Sequence, residues 1–491
     1  MIILYNPPSS ASRKPILPMS LLALGAVLEG AHDYAIVDGN VHADPVAALC
    51  RVVNETHAQV LGVTVMPGPQ LGQAVPTCRQ IKALYPDLKI VWGGYFPSQH
   101  YEVCLNADCV DFVVRGYGEM VFRGLCDALA GQGDPTTMPG LAYRRGDTGE
   151  IVSQGVAQLP DPDRLPRWSY DRIDVERYVR RTFLGKRTLP HHSSYGCPFG
   201  CSFCAVVNMC AGRWAAESPE RMAGAVLNLV RGWGADSIEF DDNNFFVSEE
   251  RTAEFAERIM DWSIHWWGEA RIDTLLRYDE RTWRLMQACG LKMVFLGAET
   301  GSDDTLKRMN KGGQASTEQA LEIARKMACY GMVPEMSFVL GNPPDPEADT
   351  KQTISFIRRI KEANPATEVI LYLYTPVPSD GELYRQAEAS GFGFPKTLDE
   401  WISPQWAEFS QRRSADLPWL PRRLVGHIHD FQQVLNAYYP TVTDPRLTGA
   451  RRFILRGLSG WRYHRQVYGV PLELRALDRL LGYQRPETSG F

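Results

Sequence analysis

The chain has 491 residues, more than a single hydrophobic core usually organises, so we expect two or three domains. Hydrophobic residues make up 44% and charged residues 22%, as in globular proteins, and the formal net charge is -5. This charge excludes a basic surface spread over the whole molecule, so we predict no nucleic-acid partner.

The sequence offers no element that would insert into a membrane. No apolar run approaches the length needed to cross a bilayer, and the N-terminal MIILYNPPSS lacks the pattern of a signal peptide. We therefore predict no stable membrane insertion and a cytoplasmic location. Eleven cysteines, an odd number without a repeating pattern, indicate reduced thiols and one metal-binding loop better than a disulfide framework.

The first part of the chain alternates short apolar strands with helical stretches. We predict strands at 1–5, 34–37, 59–65 and 89–92 and a first helix at 18–29. Such alternation predicts a parallel, doubly wound sheet, whose ligands lie at the carboxyl ends of the strands. The stretch from about 125 to 182 is rich in Gly, Pro and charge and reads as a connector, with a hairpin at 140–154.

A loop with three cysteines follows, GCPFGCSFC at 196–204, which contains Cys197, Cys201 and Cys204. Three thiolates on one short loop can bind three irons of a cubane [4Fe-4S] cluster and leave the fourth iron open. A zinc site would need a fourth ligand, which the preceding His191 or His192 could supply. Three buried core cysteines are a further alternative.

The second half of the chain again alternates strands and helices. We predict strands near 187 and at 237–240, 270–275, 293–297, 336–340 and 369–374, with the cysteine loop directly after the first. Their carboxyl ends carry polar residues, including Asp241, Asp242, Arg277 and Glu299. Six such strands predict a partial barrel whose loops at the carboxyl ends build the site. For residues 241–244, a helix N-cap cluster is the structural alternative.

Beyond about residue 393 the chain turns to helices rich in Trp, Arg and Tyr, for example ARRFILRGLSGWRYHRQVYG. Such a composition is also found at sites that bind nucleic acids or anionic ligands. We favour a helical cap on the open barrel, with its arginines in solvent.

The cysteine spacing, with Phe203 before the last Cys, resembles the signature of the radical S-adenosylmethionine (SAM) superfamily. LGAETGSDDTLKRMNKG at 296–312 is similar to the family's G-x-E-S-G stretch, and FDDNNF at 240–245 stands where the family binds the SAM amino group. The resemblance implies that the three loop cysteines bind the cluster, that Cys210 does not, and that Glu299, Asp241 and Asp242 contact SAM.

The N-terminal part resembles the cobalamin-binding domain of one large branch of this superfamily. The resemblance rests on NPP after the first strand, GVTVM at 62–66, WGGYFPS at 92–98 and VDFVVRGYGE at 110–119. It implies that the following residues lie along cobalamin: Thr64, Gly93, Gly94, Gly116, Gly118 and Glu119. Taken singly, each glycine pair could be only a turn. No D-x-H-x-x-G motif is present, so we expect no histidine beneath the cobalt.

Together these features predict an α/β chain: a doubly wound, Rossmann-like cobalamin-binding domain, a partial (β/α)6 radical SAM barrel and a mostly helical C-terminal cap. The expected boundaries are 1–130 for the first domain, 131–185 for the connector, 186–392 for the barrel and 393–491 for the cap.

The resemblance implies an enzyme that methylates an unactivated carbon of a small molecule through methylcobalamin and a 5'-deoxyadenosyl radical, using two SAM molecules. The family also implies a reduced electron donor such as flavodoxin or ferredoxin. Two alternatives stay open: a cyclase or ring-rearranging enzyme with the same cofactors, similar to the anaerobic cyclase of bacteriochlorophyll synthesis, and a non-catalytic cobalamin or iron–sulfur sensor.

Overall fold

A computed structural model describes residues 1–9, 15–146, 148–311, 315–412, 416–444 and 447–481. The N-terminal domain contains, in chain order, β1 (Ile2–Asn6), α1 (Met19–Leu28), β2 (Tyr34–Asp38), α2 (Pro45–Thr56), β3 (Val60–Thr64), α3 (Pro69–Leu84), β4 (Lys89–Gly93), α4 (Tyr95–Gln99), α5 (Tyr101–Leu105), β5 (Phe112–Val114), α6 (Glu119–Leu129), β6 (Leu141–Arg144) and β7 (Ile151–Ser153).

These strands form one seven-stranded sheet in the order β2-β1-β3-β4-β5-β6-β7. Strands β1 to β5 pair in parallel, and every residue of β1 is buried, as expected for a parallel sheet covered by helices on both faces. The chain reverses its winding direction at β1 and β3, which places the ligand crevice of this topology at Asn6 and Thr64. The predicted doubly wound sheet is confirmed.

The connector adds its hairpin to this sheet. Strand β6 pairs antiparallel with β5, and β7 pairs antiparallel with β6, so the sheet continues to Ser153, past the expected boundary at residue 130. Four short 3-10 helices between residues 135 and 178 make up most of the remaining regular structure there. The exact domain boundaries stay predictions.

The second domain contains β8 (Thr188–His191), β9 (Ser194–Gly196), α7 (Val206–Cys210), β10 (Trp214–Ala216), α8 (Pro219–Trp233), β11 (Ser237–Phe240), α9 (Glu249–Ile259), β12 (His265–Ala270), α10 (Ile272–Leu275), α11 (Glu280–Ala288), β13 (Leu291–Glu299), α12 (Asp303–Arg308), α13 (Thr317–Cys329), β14 (Val333–Leu340), α14 (Pro346–Ala363) and β15 (Glu368–Leu373). Six of the strands form a parallel sheet in chain order, β8-β11-β12-β13-β14-β15, which confirms the partial barrel.

One predicted strand of this barrel was wrong. We expected a strand at 270–275, but the strand is β12, at His265–Ala270, and residues 272–275 form the short helix α10. The half-buried Glu269 interrupts an apolar pattern that begins with Trp266 and Trp267, aromatic residues that favour strands. Consequently the residue at the carboxyl end of this strand is Arg271, and Arg277 lies beyond α10.

The C-terminal helices are α15 (Glu382–Ala389), α16 (Leu398–Trp401), α17 (Pro404–Ser410), α18 (Arg422–Tyr438), α19 (Gly449–Arg465) and α20 (Leu472–Leu481). This confirms the helical cap, although the expected span to residue 491 ends outside the described residues. Its arginines are not all in solvent, because Arg462 is buried and ion-paired with Glu473. Among the described residues we find no helix with the length and apolar content needed to cross a bilayer.

Candidate functional site

The segment that contains the cysteine loop and α7 is closed by a small antiparallel pair, β9 with β10. Its middle is fastened to the segment after α12: the Ser202 amide donates to the Met309 carbonyl at 2.9 Å, and the Asn310 side chain donates to the Gly200 carbonyl at 3.0 Å. Cys197, Cys201 and Cys204 are half-buried on this loop. Because neighbouring elements fix the loop at several points, the three thiols are presented on a rigid support.

Two side chains of the barrel donate toward the thiols. Nη1 of Arg271 lies 3.2 Å from the sulfur of Cys201, and Nδ2 of Asn244 lies 3.9 Å from the sulfur of Cys197. The guanidinium of Arg271 stacks 4.0 Å above the ring of Phe199 and is held by both oxygens of Asp273, each at 3.0 Å. A thiolate-bound centre is stabilised by such N–H donors, and its reduction potential depends on them.

Burial raises the pKa of all three loop thiols, and that of Cys204 to about 12. As isolated groups they would therefore stay protonated, so a bound metal centre is what would make them thiolates. Cys210 is buried in α7, and its thiol faces the carbonyl of Cys197 at 3.6 Å. Its contact is thus with the backbone of the loop.

The histidines that could have completed a zinc site have other partners or surroundings. Nε2 of His191 lies 2.9 Å from a carboxylate oxygen of Glu217, and both side chains are buried. Burial lowers the pKa of His192, whose ring packs against Tyr195. Nowhere in the described residues do three His, Cys, Asp or Glu side chains close around a single ion.

The two aspartates after β11 have different environments. Asp242 is fully buried and accepts from the hydroxyls of Ser193 and Ser194, the nearest contact being 2.6 Å, so its carboxylate ties β11 to the segment leading into the cysteine loop. Asp241 is half-buried, and its pKa is raised well above the usual range by burial and by neighbouring Glu239. Neither caps a helix: the N-cap of α9 is Ser248, whose hydroxyl accepts from the Arg251 amide.

Glu299 stands at the carboxyl end of β13 in an ion pair with Lys311. Both side chains are buried, with 7% and 6% of their surface exposed, and Lys311 also donates to the Gly297 carbonyl. A Cβ at Gly297 would clash with both the Glu299 carboxylate and the Lys311 ammonium, so glycine at this position leaves room for the pair. The two adjacent opposite charges complement the ammonium and carboxylate groups of an amino acid.

The barrel interior beneath these groups is acidic. Glu269 lies on β12, two residues before Arg271, which directly follows the strand. The two side chains therefore point to the same face of the sheet. Burial raises the pKa of Glu269 to about 8, with further contributions from nearby Asp241 and Glu335. Burial likewise raises the pKa of Glu335 to about 8, although the Trp267 indole donates to it at 3.1 Å. Near neutral pH these two carboxyls are mainly protonated and can hold or release a proton.

In the N-terminal domain the expected site residues lie at the carboxyl ends of β3, β4 and β5. Thr64 ends β3 beside Gly94, where a Cβ would lie 3.2 Å from the Val65 carbonyl. Gly116, with φ of +89°, lies so close to the second domain that a Cβ would be 3.0 Å from the Met209 carbonyl. Protein packing alone therefore requires glycine at 94 and 116. Gly93 and Gly118 lie at the ends of the same loops.

These loops touch the cysteine loop directly. The Tyr117 hydroxyl accepts from the Gly196 amide at 2.8 Å and from the Asn243 side chain at 2.9 Å. The Gln99 side chain donates to the Ala205 carbonyl at 3.1 Å. Thus the carboxyl end of the N-terminal sheet faces the cysteine loop, and the two expected cofactor sites are neighbours.

Glu119 begins α6 at this same interface. It is buried, and burial raises its pKa; the hydroxyl of Tyr195, which immediately precedes the cysteine loop, lies beside it. One of its carboxylate oxygens is buried without a hydrogen-bond partner. A buried acceptor with no donor is costly, so a donor from a bound group would suit this position.

The helical cap covers both domains. The Trp401 ring packs edge-on against Phe96 of the N-terminal domain at 5.1 Å, and the Trp419 indole donates to the Gly341 carbonyl after β14 at 3.0 Å. The cap therefore spans the junction at which the two expected sites meet.

Sequence reasoning missed Arg271, Lys311 and Tyr117. Arg271 could have been found by placing β12 on its aromatic residues, because it would then follow the strand directly. Lys311 lies in the NKG stretch of the sequence, but its ion pair with Glu299 forms only because the chain turns back after α12. Tyr117 gave no separate signal, because its role depends on how the two domains dock.

Comparison with known proteins identifies the two domains. The B12 binding domain family matches residues 11–126, and the Radical SAM superfamily matches residues 192–357. These matches confirm the predicted resemblance and both cofactor-binding domains.

Curated relatives cover most of the chain at modest identity. An uncharacterized methyltransferase of Pyrococcus horikoshii is 25% identical over 73% of this chain and 78% of its own length. The anaerobic magnesium-protoporphyrin IX monomethyl ester cyclase of Synechocystis is 28% identical over 66% of each chain, slightly under two thirds of its length.

A solved structure shares the whole architecture. The radical S-adenosylmethionine methyltransferase TsrM from Kitasatospora setae, solved with cobalamin and a [4Fe-4S] cluster, superposes with a TM-score of 0.69. It covers 98% of both chains at 17% identity, a likeness that shows the fold.

Proposed function

We propose that this chain, which belongs to the B12-binding radical SAM enzymes, methylates an unactivated carbon of a small-molecule substrate. The observation that carries the proposal is the direct contact between the loops of the B12-binding domain and the three-cysteine loop, through Tyr117 and Gln99. A methyl carrier and a radical source must reach the same substrate carbon, and this arrangement puts their sites side by side.

In this proposal Cys197, Cys201 and Cys204 hold the [4Fe-4S] cluster. When bound, the cluster supplies the electron that cleaves SAM, and cobalamin supplies the methyl group. Arg271 donates to the Cys201 sulfur and stays in place because Asp273 and Phe199 hold its guanidinium. Arg271 is thus a positioning and charge-balancing residue of the cluster.

We propose that the Glu299–Lys311 pair receives the amino-acid end of SAM. The carboxylate of Glu299 faces the SAM ammonium, and the ammonium of Lys311 faces the SAM carboxylate, so each charge keeps an opposite partner on binding. Asp241, at the carboxyl end of β11, adds a second carboxyl for SAM. Both carboxylate oxygens of Asp242 already accept hydrogen bonds, from Ser193 and Ser194. We therefore propose that Asp242 acts on SAM indirectly, through these two serines.

For cobalamin we propose the crevice at the carboxyl ends of β1, β3, β4 and β5. Thr64, Gly93, Gly94, Gly116 and Gly118 border it, and Glu119 at the start of α6 offers a buried carboxylate oxygen without a hydrogen-bond partner. The segment 66–71, which leads from β3 into the first residues of α3, contains no histidine, in keeping with the expectation that none lies beneath the cobalt.

The second candidate function is cyclisation with the same cofactors, which the similarity to the Synechocystis cyclase favours. The two reactions differ in what becomes of SAM. A methylase consumes one SAM as methyl donor and another as radical source, whereas a cyclase needs only the radical. A non-catalytic sensor would form neither S-adenosylhomocysteine, the product of methyl donation, nor 5'-deoxyadenosine, the product of the radical.

The experiment is anaerobic reconstitution with iron, sulfide and cobalamin, followed by incubation with SAM and panels of small molecules. We expect S-adenosylhomocysteine and 5'-deoxyadenosine to form together, in equal amounts, with the true substrate. If only 5'-deoxyadenosine accompanies substrate loss, the cyclase replaces the methylase.

We also propose a low-potential electron donor such as flavodoxin or ferredoxin, because the cluster must be reduced in each turnover. The proposed compartment is the cytoplasm. All eleven cysteines are free of disulfides, which is in keeping with a reducing environment.

A further inference from the structure

Helix α19 in the cap exposes an apolar face to solvent. Phe453, Ile454, Leu458 and Trp461 lie on this face, and Phe453 and Trp461 are 79% and 54% exposed. Ile454, Leu458 and Trp461 follow Phe453 by one, five and eight residues, which places all four along one side of a helix. The opposite side already packs on the cap, through the buried Leu455, Ser459 and Tyr463.

Three more exposed apolar side chains follow α19 in the chain. Val467 and Val470 in the next loop and Leu472 at the start of α20 are 44%, 60% and 64% exposed. Of the twelve large hydrophobic side chains exposed in the described part of the chain, seven lie between Phe453 and Leu472. Such concentration in one place marks a surface that contacts something. We name these seven residues the cap patch.

Helix α19 itself carries basic side chains and no acidic ones, whereas Glu473 and Asp430 lie beside the segment that follows it. Helix α19 contains five arginines and neither Asp nor Glu, in a chain whose formal net charge is -5. Arg456 and Arg465 are exposed beside the patch, and buried Arg462 is neutralised by Glu473. The occupant of the patch must therefore bring apolar contact and negative charge together.

We propose that the cap patch is a monotopic docking site for an anionic lipid surface. A helix with exposed Trp, Phe and Leu between arginines lies in the boundary between headgroups and acyl chains. This chemistry favours lipid over two other occupants. A second copy of α19 would bring like charges together, and a phosphate backbone would leave Ile454, Leu458 and the exposed valines without apolar partners. The proposal is independent of the reaction.

The test is flotation of the reconstituted full chain with vesicles of phosphatidylcholine, with and without phosphatidylglycerol. We expect binding to the anionic vesicles and weak binding to the neutral ones, and added salt should reduce it. The variant F453E/W461E should lose binding at least about tenfold, since it puts charge into the apolar boundary. L84E/F183E, at exposed apolar positions elsewhere, is the matched control and should bind like the wild type.

R456Q/R465Q keeps the apolar residues and should weaken binding to anionic vesicles roughly tenfold, while leaving the weak neutral binding unchanged. Should F453E/W461E fail to fold, the vesicle binding of R456Q/R465Q tests the proposal in its place. The proposal is overturned if the wild type does not float with anionic vesicles, or if F453E/W461E floats as well as the wild type. It is also overturned if the patch instead mediates a dimer by light scattering, or retains single-stranded DNA, without vesicle binding.

Discussion

Removing the charge of Glu299 should destabilise the protein through its partner Lys311. In E299Q the Lys311 ammonium stays buried with only neutral acceptors, the Gly297 carbonyl and the amide oxygen that the substitution introduces. Breaking a buried ion pair by removing one partner costs about 3 to 5 kcal/mol, because an uncompensated charge is left inside. Since one carbonyl contact persists, we expect a loss near the lower figure, about 3 kcal/mol.

The assay is urea unfolding of the cluster-free protein, followed by circular dichroism, on four proteins: wild type, E299Q, K311M and E299Q/K311M. The double variant removes both charges and should recover at least half of the loss, since no buried charge remains unpaired. A loss below about 1 kcal/mol in E299Q, or additive losses in the double variant, would refute the reasoning.

The same variants test the proposed SAM contacts. E299Q should raise the dissociation constant of SAM roughly ten- to a hundredfold, since a charge-assisted hydrogen bond is worth about 1.5 to 3 kcal/mol. E299Q/K311M should bind SAM no better, although it is more stable than E299Q. Recovery of SAM binding in the double variant would place Glu299 outside the SAM site.

Three further outcomes are expected. Alanine at any one of the three loop cysteines should abolish the absorbance of the reconstituted cluster, whereas Cys210→Ala should keep it; the reverse pattern would reassign the ligands. Arg271→Met should lower the reduction potential of the cluster, measured by electron paramagnetic resonance, by roughly 50 mV, which is about one kcal/mol for one electron. The potential of Arg271→Lys should lie between those of the wild type and Arg271→Met. An unchanged potential would contradict the contact assigned to Arg271. Glu269→Gln should stabilise the protein above pH 8 and not at pH 4. The pKa of this carboxyl rises from 4.5 to about 8 on folding, so the carboxyl contributes less to the folding stability of the wild type as the pH increases between those values. An equal effect of the substitution at both pH values would contradict the raised pKa.

Much of this fold follows from local sequence patterns. Strands such as β1 and β2 are short, mainly apolar runs ended by Pro or Asp, and their alternation with helices specifies parallel sheets without any long-range information. The cysteine loop was predictable because its three cysteines lie within eight residues. Strand β12 was misplaced because a half-buried carboxyl, Glu269, interrupts its apolar run, and desolvation in the barrel interior raises the pKa of that carboxyl.

The rest of the site depends on contacts between distant segments. Lys311 reaches Glu299 only after α12 has turned the chain, and Tyr117 meets Gly196 across the domain interface. The exposed apolar face of α19 could also not be predicted from the sequence, because a helix with apolar residues on two sides has the pattern of a buried helix.

Transfer of the SAM methyl group tests the central claim most directly. The reconstituted enzyme is supplied with SAM labelled in its methyl group and with the substrate that passes the product screen, and the product is examined by mass spectrometry. The proposed function predicts one labelled methyl in each product, with one S-adenosylhomocysteine and one 5'-deoxyadenosine per turnover. Product without label, formed with 5'-deoxyadenosine alone, would contradict it.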